Sequence, residues 1–420
     1  MNIKYVPSFN PTGENEGIFA LTYDSVEKNG KKTKVFAYMG VPDSIPEGTK
    51  VPAVVLVHGG AGYPFPQWVK QWNKRGYAAI SICTVGLFPK IVNAGVQEGC
   101  EATEWTRNLE GVFAEDEYTP APYNDDMNLS DTQSLDEMWM HHAVFQVLRA
   151  YDVITSLDCV DPGKVGAVGI SWGAVILSIA LGYDNLFAFA IPVYGSGYLD
   201  EAHSFMKSRF SNPVASRLWL AQDRFDNVNI PILWLCMNDD NCFSANSNTK
   251  SFYHTRAFNK YTQLSIKSGW VHGHSCCWNE NAYPCHEIYR YADAMINDPG
   301  LFTYITGESV GVDAPDVEGP DVEGPGRFSV LFTGEKNPAA TYEATIYYQT
   351  EHPYEYVIPE EDTKSYLPYK WKTSAASIVR LDGGQFMAEA ILPDDVTYFY
   401  MEIAVNSNGK KYVVSSGLHC

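Results

Sequence analysis

The chain has 420 residues, of which 45% are hydrophobic, so it can bury two or three cores and is not a disordered protein. Its 50 acidic and 30 basic side chains give a net charge of −20. A phosphate-binding surface would have to form against that field, so no nucleic-acid partner is expected. The longest apolar runs, 51–57 and 187–193, are far shorter than the roughly 20 residues that span a bilayer, so no membrane span is expected. The N-terminal residues lack the pattern of a secretory signal, and nine cysteines leave the redox compartment open.

Short β-rich runs alternate with helical segments over about the first 300 residues. Residues 87–134, rich in Asn, Asp, Glu and Pro, interrupt this alternation and are predicted to be an insertion. The alternation predicts a doubly wound α/β domain with a mostly parallel sheet at 1–313. Strands are predicted at 34–41, 51–57, 77–83, 165–170, 187–193, 231–237 and 264–268, and helices at 66–75, 139–157, 172–182 and 286–297.

The composition changes at an acidic Gly/Pro repeat, in which DVEGP at 316–320 recurs at 321–325. Such a segment buries little apolar surface, so a linker is predicted at 314–327. Beyond it, short alternating runs separated by turn residues predict a small antiparallel β-sandwich at 328–420. Because such linkers commonly separate independently folding units, this sandwich is expected to be dispensable for chemistry.

The motif Gly169-Ile170-Ser171-Trp172-Gly173 lies between an apolar strand and a helix. A nucleophile on a tight strand-to-helix turn needs small neighbours, because the backbone there is strained. The motif predicts that Ser171 is a nucleophile at a helix N-terminus, where the Trp172 N–H can face a developing oxyanion. The alternative is a serine that only caps the helix.

A serine hydroxyl needs a base and an orienting acid. In chain order the acid is expected after the strand 231–237, where Asp239 and Asp240 stand side by side, and Asp240 is favoured. The histidine is expected after the strand 264–268, where His272 is favoured over His274 because it is nearer the strand end. His274 is then a neighbour that contacts substrate or backbone.

Glycines follow an early strand in His58-Gly59-Gly60-Ala61-Gly62. Glycine lets backbone N–H groups approach a bound carbonyl, so Gly60 or Ala61 is predicted to be the second oxyanion donor. A plain glycine turn that leads into the next helix is the alternative.

Several motifs together resemble the α/β-hydrolase superfamily over about residues 30–300. Within it, the GISWG motif preceded by WMHHAV and VDP is similar to bacterial acetyl xylan esterase and cephalosporin-C deacetylase-like proteins, which are related to dienelactone hydrolases. The resemblance implies a triad of Ser171, Asp240 and His272 and ester hydrolysis. The motifs are HGGAG at 58–62, RGYAA at 75–79, GISWGA at 169–174, NDD at 238–240 and HGH at 272–274.

A second reading concerns the histidines and cysteines that cluster near the end of the α/β region. Their density would permit zinc coordination, but no paired C-x-x-C spacing is present. A disulfide within this loop, or from it to Cys242, is the other alternative. The residues are His272, His274, Cys276, Cys277, Cys285 and His286.

The sequence therefore predicts a serine hydrolase for short acyl esters, above all acetyl esters on a carbohydrate, that needs no cofactor or metal. Trp105, Tyr118 and Tyr123 of the insertion are candidates for stacking on a sugar, beside His274, and a packed lid is the alternative for the insertion. A peptidase of the prolyl-oligopeptidase type and a noncatalytic carbohydrate-binding protein on the same fold are the competing functions.

Overall fold

The computed structural model describes most of the chain, and the gaps fall mainly in the 87–134 insertion and in the C-terminal third. The described residues are 2–60, 62–89, 105–106, 120, 122–124, 126–277, 279, 285–312, 326–350 and 371–420. Tyr118 and Ala61 lie outside them.

In the part of the chain that the structure describes, strands and helices alternate up to about residue 300, and beyond it strands follow with one short 3-10 turn at Asp382–Gly384. The strands are β1 Ile3–Tyr5, β2 Phe19–Lys28, β3 Lys31–Gly40, β4 Val51–Val57, β5 Ala78–Ile82, β6 Phe88–Pro89, β7 Trp105–Thr106, β8 Val160–Ile170, β9 Phe189–Val193, β10 Leu233–Met237, β11 Gln263–Lys267, β12 Tyr304–Val312, β13 Gly326–Thr333, β14 Thr341–Gln349, β15 Lys372–Arg380, β16 Gln385–Ile391, β17 Tyr398–Ser407 and β18 Lys410–Ser415. The α-helices are α1 Pro66–Asn73, α2 Trp139–Thr155, α3 Trp172–Leu181, α4 Met206–Phe210, α5 Pro213–Trp219, α6 Ala245–Arg256 and α7 His286–Ile296.

The central part of the sheet is parallel. Its order is β5-β4-β8-β9-β10-β11, with every pair in this stretch parallel. Parallel strands bring their carboxyl ends to one edge, so the loops after β4, β8, β10 and β11 meet there. These are the loops that carry the sequence-predicted site residues.

Helices cover both faces of this sheet. Alternate residues of β4 belong to two separate apolar clusters: Val55 packs in one with α2 and α3, and Leu56 packs in the other with α1 and α7. A strand buried on both faces explains the nearly continuous apolar run at 51–57. The predicted doubly wound α/β fold is confirmed.

The C-terminal strands form an antiparallel β region in which β15 is shared between two sheet portions, β18-β17-β14-β15 and β15-β16-β13-β12. Inward-facing side chains of the two portions, such as Val330 and Ile403, pack in one core. The predicted strand-rich C-terminal fold is confirmed. The strand β12, which precedes the predicted linker, pairs with β13 along its length. The domain division at 313 and 328 remains a prediction.

This β region is continuous with the parallel sheet. Strand β18 pairs antiparallel with β11, where Leu264 lies opposite Ser415, and the Ile266 N–H donates to Ser415 Oγ at 3.0 Å. Two further contacts hold Asn238 in the turn after β10. Its side-chain amide donates to the Tyr400 hydroxyl at 3.0 Å, and its carbonyl accepts from Trp371 Nε1 at 3.0 Å. That the C-terminal strands are dispensable for chemistry stays a prediction. Among the described residues no helix is long and apolar enough to cross a membrane.

Candidate active site

Ser171 lies on a sharp turn between β8 and α3. Its backbone has φ 56° and ψ −122°, a conformation that a non-glycine residue rarely adopts. The Ser171 N–H donates to the carbonyl of Val193 on the adjacent strand at 2.9 Å, which anchors the turn. The side chain is thereby presented at the N-terminus of α3, as the motif predicts.

Three glycines make this turn sterically possible. A Cβ on Gly169 would lie 2.4 Å from the Gly173 carbonyl oxygen, and one on Gly173 would lie 2.2 Å from the Val57 carbonyl oxygen. Sequence reasoning identified both of these glycines but missed Gly195, where a Cβ would lie 2.5 Å from the Ser171 carbonyl oxygen. No motif spans Ser171 and Gly195, so only the close packing of the loops after β8 and β9 reveals this requirement.

Ser171, His272 and Asp240 form one hydrogen-bonded row. His272 Nε2 lies 2.9 Å from Ser171 Oγ, and His272 Nδ1 lies 3.0 Å from Asp240 Oδ2. With the proton on Nδ1, the imidazole donates to the carboxylate and accepts from the serine hydroxyl. The Asp240 side chain is 0% exposed and that of His272 is 29% exposed, so the row leads from the interior to the surface.

The second oxygen of Asp240 is held by backbone donors. Oδ1 accepts the N–H of Cys242 at 2.7 Å and the N–H of Phe243 at 3.1 Å. Asp239 is less buried than Asp240, and partial burial raises the pKa of the Asp239 carboxyl. Of the two adjacent aspartates, it is therefore Asp240 whose carboxylate is fixed on the imidazole.

The glycine loop after β4 lies against this row. A Cβ on Gly59 would stand 3.0 Å from Ser171 Cβ, and a Cβ on Gly60 would stand 2.5 Å from Trp172 Cδ1 and 2.1 Å from the Tyr123 hydroxyl. Only glycine backbone can approach the serine so closely. Ala61, the other predicted donor, lies outside the described residues.

Two neutral histidines hold this loop. His58 Nε2 accepts the Thr84 N–H at 3.1 Å, so Nδ1 carries the proton and donates to the Gly59 carbonyl at 2.7 Å. His274 Nε2 accepts the Gly59 N–H at 3.0 Å. Burial lowers the pKa of His58 to about 3 and also lowers the pKa of His274. His274 thus contacts backbone, one of its two predicted roles, and ties the loop that carries His272 to the glycine loop.

Trp105 of the insertion belongs to an aromatic row beside the site. Trp105 stacks on Tyr63 at 4.9 Å between ring centroids, Tyr63 packs on Phe65 at 4.8 Å, and Phe65 lies 5.0 Å from His274. Trp105 therefore connects to the site through two rings. Tyr118, the other predicted sugar contact, lies outside the described residues, whereas Tyr123 reaches Gly60.

Among the described residues, the possible metal ligands that lie close together are not the set of histidines and cysteines considered from the sequence. They belong to Asp240, Cys242 and His272, whose ligand atoms lie within 4.8 Å of one another. Two of these residues belong to the hydrogen-bonded row with Ser171. Cys242 is not in a disulfide, so the predicted alternative bridge to it is not formed in this structure. The Cys276 side chain lies outside the part of the chain that the structure describes.

The parallel sheet with its row of loops at one edge is the fold of an α/β-hydrolase. The Dienelactone hydrolase family matches residues 35–294, more than half of the chain, and the chain belongs to that family. This confirms the superfamily resemblance, and the protein is by family a hydrolase. Among curated proteins, none matches the chain significantly.

Solved structures with a similar fold include esterases and peptidases. An acetyl xylan esterase from Paenibacillus sp. R4 is 16% identical, with 70% of this chain and 88% of that chain covered and a TM-score of 0.48. Est1E from Butyrivibrio proteoclasticus is 15% identical, with 65% and 95% covered and a TM-score of 0.37. An acylaminoacyl peptidase from Pyrococcus horikoshii is 17% identical, with 66% of this chain and 40% of that chain covered and a TM-score of 0.44. The chain spans about two-fifths of the peptidase's length.

Proposed function

We propose that the protein is a serine hydrolase that cleaves short acyl esters, above all acetyl esters of a carbohydrate alcohol. The observation that carries this proposal is the continuous row from Ser171 Oγ through His272 to the buried carboxylate of Asp240. In such a row the imidazole removes the serine proton as the oxygen attacks, and the carboxylate stabilises the imidazolium that forms.

The backbone around Ser171 supplies the oxyanion donors of the proposed reaction. The Trp172 N–H is in the first turn of α3, where N–H groups have no partner within the helix. The Gly60 backbone, packed against Trp172, is the second proposed donor. Attack gives an acyl-enzyme on Ser171 and releases the alcohol with the proton from His272; water then releases the acid by the reverse path.

Aromatic side chains around Trp172 support a short acyl group. Its ring lies 5.9 Å from that of Phe210 and 6.5 Å from that of Phe243, and both phenylalanines are buried. Phe243 also stacks on His272, with 6.0 Å between ring centroids and 19° between planes. Bulky rings packed between the base and the helix that follows Ser171 favour a short acyl group over a long acyl chain. The carbohydrate part of the proposal rests on the polar, acidic composition of the 87–134 insertion.

A panel of substrates tests this function. We expect initial rates on an aryl acetate and on acetylated sugars to exceed those on an octanoate ester and on a proline-linked peptide. A serine-directed phosphonate should label the protein stoichiometrically, and the Ser171→Ala variant should not be labelled. Faster turnover of the peptide or the octanoate would contradict the substrate class, and the absence of both labelling and turnover would favour a noncatalytic binding protein.

A further inference from the structure

Tyr194 has a strained backbone at the carboxyl end of β9. Its φ is 37°, in the left-handed region, although it is not glycine and its side chain is fully buried. Such conformations persist only where the surrounding structure enforces them, and they are concentrated at functional sites. Neither the G-x-S-x-G motif nor the order of the predicted triad points to this residue.

The backbone of Tyr194 is fixed between the two strands that carry Ser171 and Asp240. The carbonyl of its neighbour Val193 accepts the Ser171 N–H at 2.9 Å, and the Tyr194 N–H donates to the Leu235 carbonyl on β10 at 2.6 Å. Tyr194 is therefore held by the same strand ends that present the serine and lead to the aspartate.

The side chain of Tyr194 reaches the third member of the row. Its ring centroid lies 4.4 Å from that of His272, with 35° between the planes. Its hydroxyl donates to the carbonyl of Gly273, the next residue along the chain, at 2.5 Å. One side chain thus contacts the imidazole and also fixes the backbone beside it.

The loop that carries His272 needs such a support because it has no regular secondary structure. Residues 268–273 are in neither a helix nor a strand, and the imidazole is partly exposed. A general base must stay within hydrogen-bond distance of the proton that it removes, so motion of this loop would lower the reactive fraction of the enzyme.

We propose that Tyr194 is a positioning residue for His272: it supports the imidazole with its ring and holds the loop through the Gly273 carbonyl. This inference rests on the proposed function, because it assigns Tyr194 a role only if His272 is the base. The strained φ of Tyr194 is the conformation that aims its side chain at the histidine loop while its backbone stays bonded to β10.

The Tyr194→Phe variant tests the hydroxyl and keeps the ring. We expect kcat for an aryl acetate to fall about tenfold with KM within twofold of the wild-type value, because binding is kept and the base is misplaced more often. Labelling by the phosphonate should slow by the same factor. Assays at 10 °C keep a moderately destabilised variant folded.

Tyr291→Phe is the matched control. The Tyr291 hydroxyl also donates from a fully buried ring to a backbone carbonyl, that of Tyr261 at 2.9 Å, but it is not in contact with the row. We expect this variant to lower the melting temperature by a similar amount while kcat stays within twofold. A second readout, the downfield proton resonance of the His272–Asp240 hydrogen bond, should broaden in Tyr194→Phe and not in Tyr291→Phe.

The outcomes separate the two proposals. A wild-type protein that the phosphonate labels, with kcat and the downfield resonance unchanged in Tyr194→Phe, would overturn the role of Tyr194 alone. Equal losses of kcat in both variants would also overturn it, because they would show a general effect of destabilisation. A wild-type protein that is neither labelled nor active would overturn the proposed function and this inference together.

Discussion

The two sides of the candidate site are built in different ways. Ser171 is presented by its own segment, because the strand, the glycine-flanked turn and the helix are consecutive in the chain. His272 and Asp240 lie on loops whose supports come from far along the chain: Tyr194 contacts the histidine loop, and Trp371 donates to Asn238 before the aspartate. The nucleophile side is thus mainly local in sequence, although Val193 and Gly195 also contact its turn. The base and acid side depends on tertiary contacts.

The C-terminal strands contribute to the tertiary contacts that hold the base and acid side of the site. Although none of the proposed triad residues comes from them, β18 extends the sheet beside β11, and the strand β11 leads directly into the histidine loop. Tyr400 and Trp371 bind the side chain and the carbonyl of Asn238. A change in these strands should therefore affect the acid side and leave the Ser171 turn intact.

The largest effect is expected from Ser171→Ala. Removing the proposed nucleophile should lower kcat by about 10⁴-fold or more, with the melting temperature changed by only a few degrees. Ester hydrolysis and thermal unfolding measure the two effects. Ser178→Ala is the control, since its buried hydroxyl donates within the same helix to the Ala174 carbonyl at 2.7 Å. Retained activity in Ser171→Ala would show that Ser171 is not the nucleophile.

Asp240→Asn removes the carboxylate that accepts from His272 on the side of the site built by tertiary contacts. The amide would present a donor to His272 Nδ1 and favour the wrong tautomer, so kcat should fall on the order of 10³-fold. Asp239→Asn should change kcat by no more than a few-fold, because Asp240 is the carboxylate hydrogen-bonded to the imidazole. The kcat values of both variants at pH 7 decide between the aspartates, and equal modest losses would contradict the assignment.

Acidification should loosen the glycine loop that joins the two sides. The pKa of His58 is lowered to about 3 by burial, whereas the unfolded chain binds a proton near pH 6.5. Between these values the unfolded state holds more protons, so the His58 contribution to stability is complete above about pH 6.5 and is lost as the pH falls towards 3. At pH 5 this linkage corresponds to about 2 kcal/mol in the free energy of unfolding.

Urea unfolding at pH 7 and pH 5 measures this linkage, with His58→Gln as the reference. The variant should lose less stability on acidification than the wild-type protein does. The same loss in both proteins would show that His58 is not the group responsible.

Trp371→Phe should have the smallest effect. It removes the indole N–H that binds the Asn238 carbonyl and keeps an aromatic ring against Tyr400. We expect kcat to fall about threefold to tenfold with KM unchanged, because the Asp240 loop is less firmly held. Tyr304→Phe, which removes a bond to the Pro299 carbonyl at 2.7 Å, is the control and should leave kcat within twofold. An unchanged kcat in Trp371→Phe would show that the C-terminal strands support the fold but not the site.

The sequence by itself was sufficient for the features that depend on neighbouring residues. The alternation of strands and helices predicts the doubly wound sheet, and the glycines around Ser171 predict the strained turn that the structure contains. Chain order also led to the two loops that meet Ser171, because the carboxyl ends of parallel strands share one edge.

Only the tertiary structure decided which atoms meet across that edge. The choice of Asp240 over Asp239, the bond from Gly59 to His274 and the place of Tyr194 against His272 depend on loops that are separated in sequence. The pairing of β18 with β11 was equally hidden, since alternating residues show that a segment is a strand but not which edge it joins. Local sequence determines the shape of each segment, whereas the contacts between segments are selected by the packing of the whole chain.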